Sequence, residues 1–296
     1  MASWFLQYKN SLKAIEIEEF FDLVFYRPLA FLLVKLIYRT SITPNQLTYT
    51  ALLFGIVAGI CFSQGTAQFF TYGALAYLLF NVFDCSDGQL ARLKRNGTPT
   101  GRIIDGVADY LAGIAVYSGI GIGFVAKQED NLLWFFLLIG AAASHVVHSM
   151  ITDFYRQRFI RLGFGEFSPD EDADKQYKME LARLRQKGGS YFDRTILRIY
   201  LSYSSRQSKL TGNKQNTGKG YKITPAEYYR ANKLIMRLWT LLGPTTQITF
   251  LIITALLYRP DIYILGMLIA FNALAFSLFV VQGIIDRRHS KTVHLT

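Results

Sequence analysis

Four aspartates, Asp84, Asp87, Asp105 and Asp109, fall within the stretch DCSDGQLARLKRNGTPTGRIIDGVAD, inside or beside two apolar runs long enough to cross a bilayer. An ionised carboxylate is costly there. Asp84, Asp87, Gly88, Ala91 and Arg92 recur at i, i+3, i+4, i+7 and i+8 and form one stripe on a helix; Gly101, Asp105 and Asp109, at i, i+4 and i+8, form a second. The short connection between them makes the two helices antiparallel neighbours, so the stripes can face each other. Four adjacent carboxylates repel one another and stay ionised only with cations between them. Oxygen-only ligands select a hard ion, Mg²⁺ or Mn²⁺, and acids from two facing helices can bridge a metal pair roughly 3.5 to 4 Å apart. Gly88 and Ala91 leave room for a flat ligand, and Arg92 offers a fork for phosphate oxygens. The pattern suits a diphosphate.

The elements that position these residues are membrane helices. Of 296 residues 51% are hydrophobic, and the apolar ones gather in blocks of spanning length. The fold expected is an all-α integral membrane protein with six transmembrane helices, at 43–63, 68–92, 101–125, 132–155, 235–257 and 261–284. Residues 1–42 form an N-terminal segment whose 14–40 portion mixes charge with Phe, Leu and Val at helical spacing and reads as an amphipathic interfacial helix, broken or kinked at Pro28; a first spanning helix is the alternative. Residues 43–155 carry helices one to four and the acidic motif. Residues 156–234 form a basic insertion holding 17 of the chain's 32 Lys and Arg, and residues 235–296 supply the last two helices and a tail. Basic residues concentrate in the 92–102 connection and the tail, whereas the loops near 64, 128 and 259 hold at most one each. Termini, insertion and the acid-bearing helix ends are therefore expected on the cytoplasmic side. The first residues show no secretory signal pattern.

The fixed positions read D-x2-D-G-x2-A-R-x8-G-x3-D-x3-D, in Asp84, Asp87, Gly88, Ala91, Arg92, Gly101, Asp105 and Asp109. This resembles the signature of the CDP-alcohol phosphotransferases, and the segment ITPNQLT at residues 42–48 is similar to that family's segment at the same place. The resemblance implies a metal-dependent phosphotransferase with Asp84, Asp87 and Asp105 as ligands of two Mg²⁺ or Mn²⁺ ions, and Asp109 as general base that also touches a metal. It implies that Gly88, Ala91, Arg92 and Gly101 line the cytidine diphosphate part of a donor, joined by Asn45, Thr48 and Thr98. It further implies a homodimer. The choline and ethanolamine members typically read G-K-Q-A-R and later D-H-G, where this chain reads DGQLAR and GRIIDGVADY. That looks more like bacterial or archaeal members in a cell membrane. CDP-diacylglycerol is the donor expected and inositol phosphate, or a similar polyol, the acceptor; moving a CDP-linked polar head group onto a lipid hydroxyl is the alternative.

His145, Ser149, Thr152 and Arg156 recur at near-helical spacing on the fourth helix, with His148 and Arg158 beside them. His148, Thr152 and Arg156 could hold the acceptor; polar packing within the bundle reads equally well. A divalent-cation transporter would place acids or broken helices near mid-membrane, often in two repeated halves, and this pattern occurs once, at a helix end. The net charge of +11 is met by lipid headgroups rather than nucleic acid, because it sits beside membrane helices. Cys61 and Cys85 lie in apolar blocks and read as packing. GNKQNTGKG in the insertion departs from phosphate-loop spacing and reads as a basic linker. His289 and His294 belong to a polar tail.

Overall fold

The computed structural model describes residues 7–8, 11–12, 15–165, 173–186, 194–195, 197–198, 201 and 224–291. All regular structure among them is helical. After a 3-10 turn at Ile15–Ile17 and a π-helical turn at Asp22–Tyr26 come α1 (Arg27–Ile37), α2 (Pro44–Gln64), α3 (Ala67–Lys94), α4 (Pro99–Gly123), α5 (Asn131–Gly163), α6 (Ala173–Gln186), α7 (Pro225–Trp239), α8 (Pro244–Leu256), α9 (Pro260–Gly266) and α10 (Asn272–Lys291). Much of the insertion, including GNKQNTGKG and most of the segment from 191 to 204, lies outside the described residues, as does the tail beyond 291.

Helices α2, α3 and α4 form the frame of the acidic stripes, and tight turns set their directions. Gly65, with φ +67°, ends α2 in the left-handed conformation that glycine adopts at no steric cost. Thr66 caps α3 at once, its side chain accepting from the Phe69 N–H. At the other end Arg95 takes a φ of 52° and Thr98 caps α4. The start of α2, the end of α3 and the start of α4 therefore share one end of the bundle.

α2 and α4 touch backbone to backbone. A Cβ on Gly119 would stand 2.1 Å from the Gly59 carbonyl oxygen, and one on Gly59 2.4 Å from that of Ala115. Small residues at such a crossing let membrane helices approach closely. We expect Gly119→Leu to force the pair apart and lower the unfolding temperature of the detergent-solubilised protein by at least ~5 °C, a scale set by overpacking costs of roughly 1–3 kcal/mol. An unchanged melting temperature would contradict this contact.

Among the described residues four helical stretches are long and apolar enough to cross a membrane: Pro44–Gln64, Pro99–Lys127, Asn131–Gly163 and Pro260–Arg287. The expected fifth helix at 235–257 is broken. α7 gives way to a 3-10 turn at Thr240–Leu242, and α8 restarts at Pro244 with a 40° bend between the two halves. Proline lacks the N–H that would continue the ladder and its ring clashes with the preceding turn. The expected sixth helix passes through a π-helical turn at Met267–Phe271. α5 runs on to Gly163 rather than ending near 155; its 33 residues give about 50 Å, well beyond a hydrocarbon core.

The N-terminal segment is turned inside out relative to a surface helix with its charges in water. Phe20, Val24, Leu29, Leu32 and Leu36 face outward, whereas Glu18, Glu19, Asp22 and Arg27 are buried. Pro28 sits in the first turn of α1, directly after the π-helical turn that interrupts the segment at Asp22–Tyr26. α1 lies against α3, with Gln89 Nε2 donating to the Arg27 carbonyl at 3.0 Å. Glu19 reaches across the bundle to cap α8: the Thr246 N–H donates to its Oε2 at 2.8 Å, and Arg156 lies 3.7 Å from its Oε1. A Cβ at Gly243 would stand 2.1 Å from the Glu19 carboxyl, so glycine at the break makes room for the cap.

Burial, reinforced by repulsion from Asp22, pushes the Glu19 carboxyl up to about 7, against the opposing pull of Arg156 and Thr246. The folded state then binds this proton more tightly than the unfolded chain does, so Glu19 costs stability as pH rises from its ordinary 4.5 towards 7. We expect Glu19→Gln to flatten that decline, with the two unfolding profiles converging below pH 4.5. Parallel profiles from pH 4 to 8 would contradict it.

Candidate active site

The acids converge as the spacing requires, in a particular order. Asp84 on α3 and Asp105 and Asp109 on α4 each present an oxygen within 4.8 Å of the others. Asp109 is the most exposed residue of the three. Asp87 stands apart from this trio: Thr48 Oγ1 of α2 donates to its Oδ2 at 2.5 Å. Asp87 also lies close to Asp105, and Asp84 to Asp109, across the α3–α4 groove. All the donors are carboxylate oxygens on two rigid helices, and such a set fits Mg²⁺ or Mn²⁺.

Beside the acids opens a cavity of about 290 Å³, lined by Asn45, Thr48, Asp87, Gly88, Ala91, Thr98, Gly101 and Asp105, among others. Of the expected donor residues, all but Arg92 line it. The starts of both α2 and α4 border the cavity, with Thr43, Pro44, Thr98 and Gly101 in its wall. Helix N-termini carry partial positive charge and spare N–H groups, which suits phosphate. Thr43 caps α2 in a reciprocal box with Gln46, and Thr98 Oγ1 accepts from the Gly101 N–H at 3.0 Å. The cavity thus has acids on one side and helix starts on the other. That is the arrangement a metal-bound diphosphate needs.

Gly101 is held to glycine by its neighbours. A Cβ there would stand 2.9 Å from Asn45 Oδ1 and 3.1 Å from Thr98 Oγ1. Gly101→Val should displace both and raise the apparent KM for a CDP-linked donor by at least ~10-fold, the scale on which misplaced binding groups are felt. Unchanged CDP affinity in that variant would remove Asn45 and Thr98 from the donor site. Arg92 is placed differently from expectation: its guanidinium folds back over Gly88 and its Nε donates to the Ser11 carbonyl at 2.5 Å.

The candidate acceptor residues are not in the wall of this cavity. His148 Nε2 lies 3.0 Å from Asn272 Oδ1, Thr152 Oγ1 donates to the Trp239 carbonyl at 3.3 Å, and Arg156 pairs with Glu19. His145 and Tyr117 join Tyr263 in a second buried polar group. These contacts pack α5 against α7, α9 and α10. His148 Nδ1 and Arg156 Nε are nonetheless buried without a hydrogen-bond partner. Asn96, Gly97 and Arg102 also line the cavity; sequence reasoning missed them because only the turn geometry at Arg95 brings that loop over the site.

Residues 41–160 match the family model described as CDP-alcohol phosphatidyltransferase. Over 141 residues the chain is 31% identical to the phosphatidylinositol phosphate synthase of Corynebacterium glutamicum, which covers 48% of this chain and 60% of that protein. It is 32% identical over 88 residues to the enzyme of the same name from Mycobacteroides abscessus, covering 30% of this chain and 39% of that one. It is 26% identical over 127 residues to the bifunctional IPC transferase and DIPP synthase of Thermococcus kodakarensis, covering 43% and 27%. The matches thus span less than two thirds of each relative's length. The matched residues hold the intact acidic motif on its two facing helices, so residues 41–160 are similar to CDP-alcohol phosphatidyltransferases in both sequence and site.

Proposed function

We propose that this protein is a multi-pass membrane enzyme of phospholipid synthesis that transfers the phosphatidyl group of CDP-diacylglycerol to a hydroxyl of inositol phosphate, releasing CMP. The observation that carries this reading is the juxtaposition of three converging carboxylates with a cavity bordered by two helix starts. The relatives named phosphatidylinositol phosphate synthase support the choice of acceptor.

In this reading Asp84, Asp87, Asp105 and Asp109 hold two Mg²⁺ or Mn²⁺ ions, which when bound neutralise charge on the diphosphate oxygens. Thr48 orients Asp87 through its hydrogen bond. Gly88, Ala91, Thr98, Gly101 and Asn45 hold the cytidine diphosphate against α3. Asp109 takes the proton of the acceptor hydroxyl as that oxygen bonds to the phosphorus distal to cytidine. The bond from this phosphorus to the bridging oxygen breaks, and CMP carries away the electron pair. Six spans, with α7–α8 as the fifth and α3 included despite its acids, an N-terminal segment lying in the interface, a homodimer and a cytoplasmic site complete the proposal. Outward Phe20, Val24, Leu29, Leu32 and Leu36 support the interfacial placement. His148, Thr152 and Arg156 remain acceptor candidates on the strength of the unpartnered His148 Nδ1 and Arg156 Nε.

The test is a substrate panel. Purified protein in nanodiscs, supplied with CDP-diacylglycerol and with inositol phosphate, glycerol phosphate, serine or free inositol, should give a phosphatidyl product with inositol phosphate, read by mass spectrometry. Product formed instead from a CDP-linked polar head group and a lipid hydroxyl would overturn the choice of donor.

A further inference from the structure

The basic insertion meets the acid-bearing helix α4 through α6. Leu181 and Leu184 of α6 pack with Leu197, Leu201 and Ile103 of α4 in a small apolar cluster, in which Leu181 and Leu197 are buried. Ile103 directly follows Gly101 and Arg102, which line the cavity beside the acids. It also heads an outward stripe of α4: Val107, Tyr110 and Ile114 follow at i+4, i+7 and i+11, each more than half exposed. Because Pro99–Lys127 is long and apolar enough to span, that stripe lies at membrane depth. Ile103, about 6 Å along the axis from Val107, stands at its edge. α6 therefore caps the stripe at the level of the lipid headgroups.

The other face of α6 is cationic. From Lys178 to Arg185 the helix reads KMELARLR, and Lys178, Met179, Ala182, Arg183 and Arg185 are exposed while Leu181 and Leu184 join the cluster. Positions 178, 182 and 185 share one side. Glu180, the acid of this stretch, is spent on Arg183, whose Nη1 lies 3.3 Å from its Oε2. Leucines against the protein, cations on the outer side and an exposed Met179 among them suit a helix that lies in a headgroup layer. Exposed cations on many helices meet only water. Here their place at the edge of a spanning helix favours lipid phosphate over open solvent.

We propose that α6 binds the anionic surface of the bilayer and, through Ile103, fixes the first turn of α4, so that donor binding depends on the charge of the surrounding lipid. Gly101 lies against Asn45 of α2 on the cavity side of that turn, and Ile103 lies against α6 on the outer side. A helix held by the membrane thus braces the cavity wall from outside. Ile103 is a positioning residue, and Lys178, Arg183 and Arg185 are the lipid contacts. This rests on reading the cavity as the donor site.

The experiment measures KM for CDP-diacylglycerol with the full chain in nanodiscs of phosphatidylcholine alone and of equal parts phosphatidylcholine and phosphatidylserine. For the wild type the anionic lipid should lower KM at least ~5-fold, the lower end of couplings between two sites, with kcat held within about twofold. Raised salt should erase the effect, because the attraction is screened. A variant combining Lys178→Gln, Arg183→Gln and Arg185→Gln should show the phosphatidylcholine KM in both lipids. Ile103→Ser, which keeps the cations and cuts their link to α4, should do the same, and Ile103→Val should keep the lipid effect. An equal KM for the wild type in both lipids, or a lipid effect that survives in the triple variant or in Ile103→Ser, would overturn the proposal. A dimer in phosphatidylcholine nanodiscs that the triple variant loses, read by mass photometry, would give this face to a second copy and overturn it too. A wild-type protein that binds no CDP in either lipid would overturn the reading of the cavity instead.

Discussion

Asp105→Asn is expected to reduce CMP release by at least ~10³-fold, about 4 kcal/mol at 1.4 kcal/mol per decade, within the several kcal/mol that a metal's charge contributes to a phosphoryl transition state. Asp105 is the acid through which the other three are joined. It shares the trio with Asp84 and Asp109, and it also lies close to Asp87. Asparagine keeps the shape and removes one negative charge, so Mn²⁺ affinity should fall along with activity. The fold should survive, because the change relieves repulsion among neighbouring carboxylates. Wild-type Mn²⁺ binding and wild-type turnover in this variant would remove Asp105 from the ligand set. Asp84→Asn should behave in the same way.

Asp109→Asn should separate binding from chemistry. The variant is expected to bind CDP and Mn²⁺ but to turn over at least ~100-fold more slowly, the lower end of general-base contributions. Asp109 is the most exposed residue of the trio, which leaves it reachable by an acceptor hydroxyl. Loss of donor and metal binding together with activity would make Asp109 chiefly a ligand. The base would then have to be sought elsewhere, with His148 as the first residue to test.

The helices that carry the acids were legible because their signals are local. Asp84, Asp87, Gly88 and Ala91 fall on one helical face by spacing alone, and the short connection with Pro99 forces antiparallel neighbours. The cavity's small residues followed from the same periodicity, and Gly101 proved to be enclosed by Asn45 and Thr98. What escaped depends on partners far along the chain. Glu19 and Thr246 stand 227 positions apart, and nothing near Glu19 announces that it will cap a helix rather than face water. The same holds for Arg156, whose position suggested an acceptor site and whose partner is Glu19. The break before Pro244 was hidden for another reason: an apolar run long enough to span reads as one helix even when a proline interrupts it.

CMP release by purified wild-type protein, supplied with CDP-diacylglycerol and inositol phosphate, measures the central claim most directly when Mg²⁺ or Mn²⁺ is first removed by chelation and then restored. The expected result is CMP in equal amount to the new phosphatidyl product, abolished by chelator and recovered with either ion. CMP release that continues undiminished in excess chelator would contradict the metal-dependent transfer assigned to Asp84, Asp87, Asp105 and Asp109.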